Sequence, residues 1–144
     1  MVDSPAQYAE LHWDSALSRG VYVSGVATDD CHNIAGSGFN QGWIVVYADS
    51  DSEANIIKEI RNGNFYSSSG PDLAISTSAS KITAKTWESS TIVFIGNKGT
   101  LLQTTSATTT ASYTVKGSER YIRVKVTRDM DMKSAWSNPI VVWK

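Results

Sequence analysis

A chain of 144 residues with 41% hydrophobic content and five Trp is long enough for one ordinary domain or two small ones, and apolar enough to fill a core. Its formal net charge of −1, from 13 basic and 14 acidic residues, supplies no field to attract phosphate backbones or anionic lipid, which argues against nucleic acid or a membrane surface as partner. One Cys excludes an internal disulfide and a multi-Cys zinc site, and no apolar run approaches the roughly 20 residues of a bilayer span.

The start, Met1-Val2-Asp3-Ser4-Pro5, lacks the basic and apolar regions of a signal peptide. The chain therefore reads as soluble, cytoplasmic, or exported if a signal lies upstream. Residues 6–19 predict a helix, with Tyr8, Leu11, Ala16 and Leu17 near helical spacing and Gly20 where a C-cap belongs. Trp13 and Leu17 read as packing residues, Asp14 and Arg19 as the wet face. The run Val21 to Thr28 is β-branched and small, which suits a buried strand. It hands over to Asp29-Asp30-Cys31-His32, and the Gly-rich residues 33–41 read as a loop of the kind that borders a site. Residues 42–48 predict a second strand. Ser50 or Ser52 can cap the next helix, in which Ala54, Ile57 and Ile60, with Ile56 as a further candidate, face inward before Asn62-Gly63 ends it. Phe65 to Pro71 breaks the pattern, and the domain boundary is expected there: 1–71, then 72–144.

From Asp72 onward short strands separated by turn residues recur, the pattern of a β-sandwich. The expected strands are 73–78, 81–87, 90–96, 111–116, 120–128 and 139–143. The clearest is Tyr121 to Thr127, where Ile122, Val124 and Val126 alternate with polar partners. Thr104 to Ser112 is a Thr/Ser-rich patch, either an exposed strand or a mobile loop.

Chemistry centres on the acidic tetrapeptide. Asp30 and His32, two apart on a loop, can aim a hard oxygen and a borderline nitrogen at one metal ion. On spacing alone, a loop-capping Asp beside an exposed His is the commoner explanation of such a pair. Asp29 orients a ligand or caps the turn, and Cys31 reads as a small packed residue. Ser67-Ser68-Ser69-Gly70-Pro71 could cradle an anion but has no P-loop Lys, so a linker is the favoured reading. Trp87, Trp136 and Trp143 read as core filling. No Gly-x-Ser-x-Gly elbow supports a serine hydrolase.

Three ordered stretches carry a family resemblance: Leu11 and Trp13-Asp14 through Gly20 and Val26-Ala27 to His32; Gly42-Trp43 to Tyr47 with Arg61 to Pro71; and Tyr121 to Val124 with Ala135-Trp136-Ser137-Asn138-Pro139-Ile140. Together they resemble the C-terminal part of PHP (polymerase and histidinol phosphatase) metal-dependent phosphoesterases, in the carbaryl-hydrolase-like CehA/McbA branch. The resemblance implies a distorted (β/α)7 barrel, with Asp30-Cys31-His32 as its last Asp-x-His ligand motif. It implies two or three divalent ions (Zn, Mn or Fe), which activate a bridging hydroxide against a phosphate ester or related ester. It leaves Asp29 supporting the ligands, and Ser68 and Ser69 as candidate substrate-side contacts.

The chain departs from the family because the His-x-His and the other ligands that would precede Asp30 are missing; the only other His is His12. Such a barrel takes on the order of 250 residues. The expected fold is therefore α+β: a C-terminal remnant of the barrel, then an antiparallel immunoglobulin-like sandwich. The expected role is the C-terminal region of a truncated phosphoesterase, inactive alone. Strands left without sheet partners would pair with the sandwich or with a second copy, giving a homodimer. The alternative is a non-catalytic β-sandwich binding module.

Overall fold

The computed structural model describes the backbone of residues 5–35 and 38–142, and within them the side chains from Ala9 onward. Tyr8's side chain and Trp143 lie outside the described residues.

Helix α1 (Pro5–Ser18) begins on a proline, whose missing N–H is no loss at a first turn. It stops because Gly20 adopts φ 83° and the Val21 N–H returns to the Ala16 carbonyl at 3.1 Å. Strand β1 (Trp43–Val46) follows a long connection. Helix α2 (Glu53–Arg61) is capped by Ser52, whose hydroxyl accepts from the Asn55 N–H. Glu53 in its first turn and Lys58 and Arg61 in its last complement the helix dipole. The remaining strands are β2 (Phe65–Ser68), β3 (Ala74–Ser78), β4 (Lys81–Gly96), β5 (Thr100–Thr114), β6 (Tyr121–Arg128), β7 (Ser134–Ser137) and β8 (Ile140–Val141).

Every strand pairing is antiparallel, in the order β1-β2-β7-β6-β4-β3, with β5 also on β4 and β8 on β6. β4 is long enough to serve two neighbourhoods. Its first half lies between β3 and the end of β5, and its second half between β6 and the start of β5; register shifts between Lys85 and Ser90 mark the bend. The sheet thus curls over itself. Alternation in β4 and β6 puts Ile92, Phe94, Ile122, Val124 and Val126 on the concave side, where Ile82, Ala84, Ala111 and Tyr113 from the folded-over half meet them. Each fully buried aliphatic or aromatic side chain there contributes about 1.5–3 kcal/mol of transfer free energy. The opposite face of β6 presents Arg123 and Lys125, and α1 lies across it.

Several expectations are corrected. The structure is mostly antiparallel β, with only two helices among the described residues and a curled half-barrel sheet. It holds neither a remnant of a (β/α)7 barrel nor the expected pairing of such a remnant with an immunoglobulin-like sandwich. The physical reason is visible in the strands that would have formed the remnant. Val21–Thr28 makes no ladder at all, and β1 pairs antiparallel with β2 instead of parallel to a neighbour. Phe65–Ser68 is itself a strand, and it joins β1 to β7, so one sheet draws strands from both sides of residue 71. Residues 81–87 and 90–96 form one bent strand, and the Thr-rich patch belongs to β5.

Candidate functional site

Residues 23–25 lie beside α1 and the β2–β7 pair, held by side-chain bonds. The Trp13 indole N–H donates to the Val23 carbonyl (2.8 Å), the Gly25 N–H to Asn138 Oδ1 (3.0 Å), and the Ser67 hydroxyl to the Gly25 carbonyl (2.7 Å). Gly25 has to be glycine, since a Cβ would sit 2.8 Å from the Trp13 ring. Asn138 fixes the far side too, its amide donating to the Gly63 and Phe65 carbonyls.

The segment then closes into a loop on Asp29. Its carboxylate accepts the backbone N–H groups of Asn40 (2.8 Å), Gln41 (2.6 Å) and Gly42 (2.6 Å), tying the start of the loop to the start of β1. These bonds, the Gly42 one foremost, hold the Asp29 pKa below the usual carboxylate range. Asp29 therefore acts as a latch, as the turn-capping reading expected. Gly42 has no room for a side chain without tightening against Thr28, whose backbone N and O lie 3.1 Å from the place of a Cβ.

Asp30 follows the latch in the left-handed region (φ 51°), which Asp tolerates better than most residues. The turn brings His32 back beside it. His32 Nδ1 lies 2.9 Å from the Asp30 carbonyl oxygen and 3.9 Å from its carboxylate; the two side chains are 86% and 92% exposed. A carbonyl can only accept, so the contact is a hydrogen bond when Nδ1 carries the proton, and in that neutral tautomer the lone pair is on Nε2. This is the arrangement in which a histidine's second nitrogen is oriented to bind a cation. Two donors fall short of the three or four protein ligands of a zinc site, and among the described residues no group of three or more His, Cys, Asp and Glu is placed to hold a metal. The described residues thus fit as part of a metal site, not as a whole one. Cys31, between the two, is exposed and free, not packed as its size suggested.

The serines expected on the substrate side lie elsewhere. Ser68 is fully buried in β2, its hydroxyl donating to the Pro71 carbonyl and accepting from the Gly70 N–H, so it closes a turn. Ser69 is half-buried and exchanges bonds with Ser134. Ser69 does line an open groove of about 780 Å³ between α1, Val23–Thr28 and the sheet, whose rim includes Gln41 and Gly42. Asp30, His32 and Ser68 are not among its lining residues.

The most densely charged cluster was missed. Asp14, expected on the wet face, is buried and accepts from Arg123 Nε (2.8 Å) and Nη2 (2.6 Å) and from the Tyr121 hydroxyl (3.0 Å). Glu10, one helical turn earlier, takes Lys125 Nζ (2.6 Å), the Trp136 indole N–H (3.0 Å) and Arg123 Nη1 (3.3 Å). Trp13 stacks on the Arg123 guanidinium at 5.1 Å. The signal was in the sequence: carboxylates at i and i+4 on a helix, and cations at i and i+2 on the polar side of a strand. The charges balance within the cluster, and their geometry fastens α1 to β6. Of the tryptophans read as core filling, Trp87 is exposed and Trp136 half-buried.

Among the described residues no helix is long and apolar enough to cross a membrane. Comparison of the chain with protein-family models, curated proteins and solved structures finds no match.

Proposed function

We propose that this chain contributes two metal ligands, Asp30 and His32, to a divalent-metal-dependent hydrolase of phosphate esters or related esters, and is inactive by itself. The observation that carries the reading is the His32 ring. With its Nδ1–H spent on the Asp30 carbonyl, the neutral ring keeps Nε2 for a cation, on an exposed side chain whose Nδ1 lies 3.9 Å from the exposed Asp30 carboxylate. The Asp29 latch supports it, because three backbone donors anchor the loop at its base while both donor side chains project from it. The ordered resemblance to PHP phosphoesterases agrees with the donor types and spacing. The remaining ligands would come from outside the described residues, and Zn, Mn and Fe all suit a carboxylate and an imidazole. Such a centre, once complete, would supply the activated water that attacks the ester. This chain's part is to hold one side of it in place.

Isothermal titration with Zn and with Mn, on the chain and on an Asp30→Ala/His32→Ala variant, tests this. The expected result is weak, saturable binding that disappears in the variant, with no turnover of an aryl phosphate. Binding unchanged by the double substitution, no binding at millimolar metal, or robust turnover by the isolated chain would each overturn the reading.

A further inference from the structure

We infer that the outer edge of β1 is a pairing surface for a second copy of this chain, joining two sheets across a two-fold axis at Val45. The inference does not depend on the metal reading. The Tyr47 N–H donates to the Asn64 carbonyl at 2.9 Å, and Val45 stands opposite Tyr66. Bonded and non-bonded pairs alternate in an antiparallel ladder. Trp43, Val45 and Tyr47 therefore turn their backbone groups toward β2, while Ile44 and Val46 turn theirs outward. Among the described residues no hydrogen bond is made by those outward groups.

Edge strands are normally protected by charge, proline or a bulge. The far end of the strand order, β3, follows that rule in part with a polar, exposed Ser76-Thr77-Ser78. β1 is short, at four residues, but has none of these other devices: Trp43 to Ala48 carries no charge, no proline and no register shift. A second copy matches it in both hydrogen bonding and charge. With Val45 on the axis, Ile44 faces Val46 of the partner subunit and Trp43 faces Tyr47 of the partner subunit. The first carboxylate, Asp49, then falls opposite Gln41 of the partner subunit, so no like charges meet. A register centred on Val46 would instead set Trp43 against a carboxylate, and one centred on Ile44 would leave Tyr47 against Gln41. A stable dimer buries on the order of 1,200 Å² or more, beyond what one short strand pair supplies. The added area is at hand in the exposed Tyr47 and in Ile57 and Ile60 of α2, which were expected to face inward but are 39% and 36% exposed on a helix that contacts β1.

Sedimentation equilibrium of the whole chain is the test, alongside amide exchange at Ile44 and Val46 and a Val46→Pro variant, which removes only an outward N–H. The expected result is a species of twice the 15.7 kDa chain mass. It should stop at two copies, because two-fold pairing consumes the edge, and it should fall to monomer in the variant with its circular dichroism unchanged. In the unmodified chain the two amides should exchange more slowly as concentration rises, a readout that stands even if the variant fails to fold. A monomer at high concentration, a dimer with concentration-independent exchange at both amides, or open-ended growth would overturn the proposal.

Discussion

Ile92, Phe94 and Val124 are fully buried, whereas Val21, Val23 and Val26, no less apolar, remain 54%, 44% and 65% exposed. The difference lies in neighbours. β4 and β6 are interior strands with a ladder on each side and a second layer over their concave face. Residues 21–28 have neither, and are held by single side-chain bonds from Trp13, Asn138 and Ser67. A β-branched run becomes a buried strand only where ladder partners exist to receive it. The region that carries the proposed metal ligands is therefore the one least supported by the sheet.

Breaking the better-packed side should have the largest effect. Phe94→Ala should cost about 3–5 kcal/mol in denaturant unfolding. A loss under about 1 kcal/mol, the range of surface changes, would mean that the concave face is not the core. Next comes the charged fastening of α1. Asp14→Ala leaves the Arg123 guanidinium buried against Tyr121 and should cost about 3 kcal/mol, while Asp14→Leu with Arg123→Met should recover much of it. A single substitution as mild as the pair would contradict a buried ionic contact. On the loosely held side, Val23→Ala should change unfolding by less than about 0.5 kcal/mol.

The smallest effect is local and pH-dependent. Asp29 has a lowered pKa in the folded chain, so its hold on the loop is complete above its ordinary value of 3.8 and is lost as pH falls through the lowered one. The amide resonances of Asn40, Gln41 and Gly42 should move in that acid range while those of β6 stay fixed, and Asp29→Ala should abolish the titration. Tyr113 marks the contrast at the other extreme. Burial, reinforced by its bond to Glu119, raises its phenol to about 12.

Local signals were legible in the sequence. Gly20 and Ser52 set helix ends, and the alternation of Ile122, Val124 and Val126 set β6 and its buried face. That Asp29 caps a turn was also readable, although its partners Asn40, Gln41 and Gly42, 11 to 13 positions on, were not. Long-range choices were not. Whether Val21–Thr28 finds a ladder depends on competing strands far away. Phe65–Ser68 looked like a break because its serines hide a strand whose hydroxyls bond across to Gly25 and Pro71. Asp14 looked solvent-facing because its partner, Arg123, lies 109 positions on.

Native-state amide exchange over the whole chain tests the contrast most directly. The amides of Ile92–Ile95 and Ile122–Val126 should exchange only through global unfolding, while those of Tyr22, Ser24 and Val26 exchange at rates near those of an unfolded chain. Protection of Val21–Thr28 equal to that of β6 would mean that the segment does sit in a ladder, and would contradict the account.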